Sequence, residues 1–207
     1  HSMKTGHWEK ATGKDYVEAA QELCHRAGVD FPELQLTAEQ VEKAQKWERR
    51  RAILGFAYQY CQEELWSSHG VSARRYLMED RGLNEDEIKS LNLGVVTGIS
   101  HFRKAAKDNG FDEEDLKILG LSRRWENFVT LPWLDDRGRP LTMYGRYAGK
   151  KNPNGKKTEA LPGKSTKRSP LFLDRAIAAG HKTLVSCEGV FDAALLQAKG
   201  ETDVIAP

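Results

Sequence analysis

Apolar residues fall at helical spacing along most of the first half of the chain, and at strand spacing later. Val41, Ala44, Trp47, Leu54, Tyr58, Cys61 and Leu65 line up on one face of a helix, and Phe56, Tyr60 and Trp66 widen that stripe. Thr37 and Gln40 form a capping box at its start, each side chain satisfying a free backbone donor. This pattern predicts one long helix over 37–67. The run Glu48-Arg49-Arg50-Arg51 falls within it and reads most simply as a solvated face, with nucleic-acid contact as the other reading. Upstream, Tyr16, Ala19, Ala20 and Leu23 predict an amphipathic helix over 15–27, ended by Gly28. Downstream, shorter helices are expected over 72–81, 85–91 (capped by Asn84), 100–109 and 112–119, with Gly82, Gly110 and Gly120 as stops.

The period then changes. Residues 128–134 and 140–147 read as extended, joined by the turn Asp135-Asp136-Arg137-Gly138-Arg139. Residues 148–169 are rich in Lys, Gly, Pro, Ser and Thr, have no period, and read as a loop. A short helix is expected over 171–179. Residues 183–187 are mostly apolar and predict a buried strand. Val190, Ala193, Ala194, Leu196 and Gln197 then return to helical spacing before Gly200, and 203–206 reads as a second strand.

Charge changes this picture. From Arg137 to Arg168 there are ten basic residues and one acid, a local charge of +9 that leaves −7 for the rest of a chain of net charge +2. Such a block suggests a polyanion partner, nucleic acid or nucleoside triphosphates. Its alternative reading is a solvated linker. The three cysteines, Cys24, Cys61 and Cys187, are far apart, which fits a reducing compartment better than a disulfide framework. No apolar stretch is long enough for a membrane span, and no apolar signal segment leads the chain. The expected location is therefore the cytoplasm.

The candidate chemistry lies in the last segment. Residues 183–206 form a strand-turn-helix-strand unit with Glu188 at the end of its first strand and Asp192 in the first helical turn. Ligands of open α/β sheets bind at this strand edge. Gly189 is expected to allow the tight turn that aims Glu188 outward. Two carboxylates so placed suit a divalent metal or phosphoryl transfer. They are equally ordinary capping and helix-dipole choices.

Several short motifs, taken in order, resemble one family. Ala73-Arg74-Arg75-Tyr76-Leu77, Arg81-Gly82-Leu83, Ile88 and Leu93-Gly94 resemble helices of the bacterial DnaG-type DNA primases. Phe128-Val129-Thr130-Leu131-Pro132, Asp136-Arg137-Gly138-Arg139-Pro140 and Tyr144-Gly145-Arg146 look like that family's strands. Residues 156–162 stand weakly in the place of its lysine-bearing loop, and Ser169-Pro170-Leu171-Phe172 resembles its "TPLF". Val185 to Ala193 is similar to the first motif of the Toprim fold, and residues 16–32 resemble the helix that follows the family's zinc-binding domain.

The resemblance implies an α+β chain: a helical N-terminal region (4–122), a strand hairpin with a basic loop (123–170) and a partial α/β Toprim unit (171–207). It implies a polymerase domain that makes short RNA primers on a single-stranded DNA template from ribonucleoside triphosphates, with a replicative helicase as partner and no membrane. By position, Glu188 becomes general acid/base or metal partner, and Asp192 assists. Arg146 and Lys157 match phosphate-holding residues, and Lys156, Lys164 and Arg139 join them as basic candidates. The complete enzyme would use Mg²⁺ or Mn²⁺ on a later Asp-x-Asp motif, and zinc only in an upstream module. Neither is present in these residues, so the chain reads as a fragment, inactive alone. The atypical basic loop suggests a phage- or mobile-element-borne member. The alternatives are another Toprim enzyme of topoisomerase or nuclease type, and a non-catalytic nucleic-acid-binding module. Those other Toprim enzymes are not expected to carry the Arg81-Gly82-Leu83 helix or the Arg137-to-Arg146 hairpin.

Overall fold

The computed structural model describes residues 13–29, 37–135, 137–162 and 169–207, with side chains in the first segment from Ala19 onward. It divides into two units, His1–Lys43 and Ala44–Pro207. In the first, α1 spans Gly13–Ala27 and the Thr37 capping box is present: the Gln40 amide donates to Thr37 Oγ1 at 3.2 Å, and the Thr37 amide to Gln40 Oε1 at 2.9 Å. The expected apolar face of α1 is not packed, since Leu23 is exposed.

In the second unit, α2 (Ala38–Trp66, begun in the first) buries Ile53, Leu54, Ala57, Tyr58, Cys61 and Leu65, one continuous stripe. Val41 and Ala44, expected in that stripe, are exposed. After it come α3 (Val71–Arg75), a π-helical turn over Tyr76–Asp80, α4 (Glu85–Ser90), α5 (Ile99–Asp108) and α6 (Glu113–Leu119). Helices α4 and α6 start with reciprocal capping boxes, Asn84 with Glu87 and Asp112 with Asp115, so short segments gain defined ends.

A four-stranded antiparallel sheet follows in the order β1 (Gly94–Val95), β2 (Phe128–Leu134), β3 (Pro140–Tyr147), β4 (Thr158–Ala160). β2 alternates between two cores. Val129, Leu131 and Trp133 join Leu65, Leu77, Ile88 and Phe191. Phe128 joins Met143, Trp125, Phe102, Ile53 and Leu54 in the other. Both faces being covered, β2 reads as an apolar run rather than as an alternation. Pro132 sits in it without losing a ladder bond to β1. That strand pairs only Gly94 with Thr130 and Val95 with Val129, and stops short of the proline. Strands β1 and β4 were not foreseen; each is too short to carry a period.

Two expectations about charge and burial fail here. Two arginines of α2, Arg49 and Arg50, are structural ties. Arg50 is buried and donates to the carbonyls of Ile118 (2.7 Å) and Pro162, while Arg49 donates to both oxygens of Asp115, at 2.7 and 2.5 Å. The strand over 183–187 is also not buried. β5 is Val185–Ser186, and both residues are exposed. It pairs in parallel with β6 (Val204–Ile205) on one edge and with no other strand among the described residues. A parallel strand is buried only between neighbours and under cover on both faces. The rest of the unit is as expected: α7 (Leu173–Ala178) precedes it, and α8 (Val190–Ala198) packs Phe191, Ala193 and Ala194 into the first core.

Candidate nucleic-acid interface

β5 and α8 place the two carboxylates as expected. Glu188 follows the strand, and Asp192 lies in the first turn of α8, both exposed. Gly189, the N-cap, has φ −89° and ψ 123°, which any residue adopts. The turn therefore does not require glycine for its backbone, contrary to expectation. What glycine leaves is room: a Cβ on Gly189 would stand 2.2 Å from Asp192 Oδ2, so a larger residue there would turn the exposed Asp192 carboxylate away from the turn. Their oxygens suit a hard divalent cation, which takes six or more oxygen ligands or keeps several waters. Yet among the described residues no three metal-type side chains come together. Two carboxylates match such an ion in kind but not in number.

A cationic cluster stands next to α8. Arg146 Nε donates to the Tyr76 hydroxyl at 3.1 Å, and Arg81 Nε donates to the same oxygen at 2.8 Å. The Arg81 guanidinium also lies over the Tyr76 ring (5.2 Å), and that of Arg146 over the Phe191 ring (5.7 Å). Tyr144 packs its ring on Phe191 at 6.2 Å. Thus β3, the π turn and α8 converge on two guanidinium groups that share one phenol oxygen. Neither has an ion-pair partner among the described residues. Two like charges held on one neutral oxygen repel, and an anionic oxygen between them relieves that repulsion while accepting charge-assisted hydrogen bonds. π turns are frequent at functional sites, and this one presents Tyr76 at its start, with Arg81 directly after it. Arg81 was not among the candidate site residues. Its signal was the Arg81-Gly82-Leu83 motif itself.

The other basic candidates fare differently. Arg139 is clasped by Asp135, with Nε and Nη2 at 2.9 and 2.8 Å from Oδ2, and that carboxylate also accepts the amides of Arg137 and Arg139. Burial of Asp135 pushes its carboxyl up, but these donors outweigh it and hold the group below the usual range. Arg139 thus has a structural job in the turn. Lys156 stands 3.6 Å from Glu159, and Lys157 is exposed with no described side-chain partner. Lys164 lies outside the described residues.

A second cationic concavity was not foreseen at all. Ile99, Ser100, Arg103, Ser122, Arg123 and Arg124 line a cavity of about 440 Å³. The Ser122 hydroxyl is buried there without a hydrogen-bond partner. The first amide of α5 is already taken, by Glu126 Oε1 at 3.2 Å, so the cavity's positive character comes from its three guanidinium groups. It lies beside Trp125, which packs on Phe128 (5.7 Å) on the sheet face opposite Val129, the residue paired with Arg146.

No protein-family profile and no curated protein sequence matches the chain. Solved structures do. The chain superposes on the RNA polymerase domain of Mycobacterium tuberculosis primase DnaG with a TM-score of 0.68 at 23% identity, covering 77% of this chain and 56% of that one. The fold is that of the DnaG-type primase RNA polymerase domain. A DnaG primase catalytic domain bound to single-stranded DNA gives 0.67 at 23% identity, covering 79% of this chain and 56% of that chain. The zinc-binding and RNA polymerase domains of Aquifex aeolicus primase give 0.64 at 21% identity, covering 93% of this chain and 48% of that one. The chain thus spans about half the length of the primase structures it resembles. The α+β class is that of the primase core, and no helix among the described residues is long and apolar enough to cross a membrane.

Proposed function

We propose that this chain is the template-handling half of a primase-type RNA polymerase domain, which holds single-stranded DNA by its phosphates beside the edge that carries Glu188 and Asp192. The observation that carries this reading is the Arg81–Tyr76–Arg146 cluster, packed through Phe191 onto the helix of Asp192. Nucleotidyl transfer is largely positioning plus cationic offset of phosphate charge, and the cluster supplies both at one place. In the complete protein, Glu188 acts as acid/base or partner of a divalent metal, Asp192 assists, and Lys156 and Lys157 extend the basic rim, with Lys164 a further basic candidate by sequence. Ribonucleoside triphosphates are the substrates and a replicative helicase the partner. The same fold bound to single-stranded DNA in a relative supports the template assignment.

The test is single-stranded DNA binding by the 207-residue chain across a salt series, with Arg81→Ala and Arg146→Ala. Each phosphate contact contributes about 0.7 to the slope of log affinity against log salt for a single strand. The unaltered chain is expected to bind with a clear slope, and each variant to weaken binding and lower the slope by about 0.7. Binding unaffected by either substitution refutes the reading. A non-catalytic module remains the second reading: among the described residues no third metal-type side chain joins Glu188 and Asp192. Glu188→Gln in the complete protein separates the two: primer synthesis lost with DNA binding retained supports catalysis.

A further inference from the structure

The basic loop after β3 is built, and its builder is an asparagine. Every residue from Gly149 to Lys157 is exposed except Asn152, which is 5% exposed. Its Oδ1 accepts the Asn154 amide at 3.0 Å, its Nδ2 donates to the Lys156 carbonyl, and its own carbonyl accepts the Gly155 amide at 2.9 Å. Pro153 pre-sets the turn, and Gly155 takes the φ of +79° that the turn needs. The base is closed by the Tyr147 amide on the Lys157 carbonyl and by the Ala148 amide on the Asn127 carbonyl, both 2.9 Å. One buried side chain thus ties both arms of an otherwise exposed tip. Lys150, Lys151 and Lys157 project from it with no carboxylate partner among the described residues. Along the chain this tip follows Arg146 after Tyr147 and Ala148, and its base is pinned to Asn127.

We propose that Asn152 is a positioning residue, which fixes Lys150 and Lys151 as a phosphate-contacting tip for the single-stranded nucleic acid that the Arg146 cluster holds. The inference rests on the proposed template-binding function and adds to it two contact residues and the side chain that sets them. A free lysine loop would have to be ordered on binding, whereas a tied one is ordered beforehand and binds more tightly for the same charges.

The two roles separate in one assay. In the salt series on single-stranded DNA, Lys150→Gln/Lys151→Gln removes two contacts and is expected to lower the slope by about 1.4. Asn152→Ala keeps every charge, and is expected to lower affinity about three- to tenfold at an unchanged slope. Gly155→Ala, which strains the same turn at its left-handed residue, is expected to act as Asn152→Ala does, and Asn152→Ser, which retains a side-chain acceptor for the Asn154 amide, to restore part of the affinity. Thermal unfolding accompanies each variant, so that global unfolding is seen directly. Unchanged affinity in folded Asn152→Ala and Gly155→Ala overturns the proposal, as does a loss of slope in either. If Arg81→Ala and Arg146→Ala weaken binding while the tip variants do not, the tip proposal falls and the proposed function stands. No salt-dependent binding by the unaltered chain removes both.

Discussion

The same chemical change, glycine to alanine, should move stability in opposite directions at two glycines of one core. Gly94 in β1 lies against the backbone of α2: a Cβ there would stand 2.6 Å from the Cys61 carbonyl carbon, 2.7 Å from its Cβ and 2.8 Å from its oxygen. Ordinary contact begins at 3.4 Å, so the methyl is about 0.8 Å too close to backbone that has no rotamer to change. Strand and helix must separate by about that much, and a gap of 0.5–1 Å already forfeits a quarter to a half of each dispersion contact across the seam. Overpacking of this kind costs roughly 1–3 kcal/mol, and a backbone neighbour puts Gly94→Ala near the top of that range. The lower chain entropy of alanine offsets about 0.5–1 kcal/mol. The net expectation is a loss of about 2 kcal/mol. Gly55 lies inside α2 with nothing within 4 Å of its would-be Cβ. Gly55→Ala should therefore gain about 0.8–1 kcal/mol from helix propensity alone. Urea unfolding followed by tryptophan fluorescence reads both. With a slope of about 2 kcal/mol per molar, Gly94→Ala lowers the midpoint by about 1 M and Gly55→Ala raises it by about 0.4–0.5 M. Midpoints that move in the same direction, or a Gly94→Ala midpoint at the wild-type value, refute the close-approach argument.

Tyr58 is buried with its hydroxyl within reach of the carbonyls of Trp133, at 3.1 Å, and Thr142, tying α2 to β2 and β3. Tyr58→Phe leaves those carbonyls without this donor and should cost about 1–2 kcal/mol in the same urea assay. Asp115 and Asp135 are both buried, which pushes their carboxyls up, but their arginine and amide donors outweigh burial and hold both below the usual carboxylate range. A carboxyl depressed in the folded state stabilises the protein above its unfolded pKa of about 3.9 and loses that contribution as pH falls through the lower folded value. Wild-type stability should thus drop with acidification below about pH 4, and Asp115→Asn and Asp135→Asn should each flatten that drop in melts taken across the range.

What the sequence revealed and what it hid follow one physical line. The hairpin strands β2 and β3 were legible to the residue, because β-branched and aromatic runs flank a turn whose Asp135 and Gly138 have fixed jobs. Helix starts were legible where Thr37, Asn84 and Asp112 bond amides three residues away. These signals are local, and so is their chemistry. Arg49 and Arg50 were misread because their partners, Asp115, Ile118 and Pro162, lie 66 to 112 residues on, and a charge run looks the same whether it meets water or a carbonyl. The exposed β5 was misread for the matching reason: an apolar run records a preference for burial, while burial itself depends on neighbouring strands. The candidate site divides in the same way. Glu188, Asp192 and Arg146 could be placed from strand ends and motif order. Arg81 lay in a motif the sequence showed, but its partnership with Arg146 was hidden, because a π turn shifts the helical period by one residue and only the fold brings both to Tyr76. The arginine-lined cavity joins α5 to a turn some twenty residues later, and no spacing rule links Arg103 with Arg123 and Arg124. Spacing reports which groups a single element can present. Clusters assembled from several elements, whether structural ties such as Arg49 with Asp115 or the Arg81–Tyr76–Arg146 group, are therefore what sequence reasoning misses.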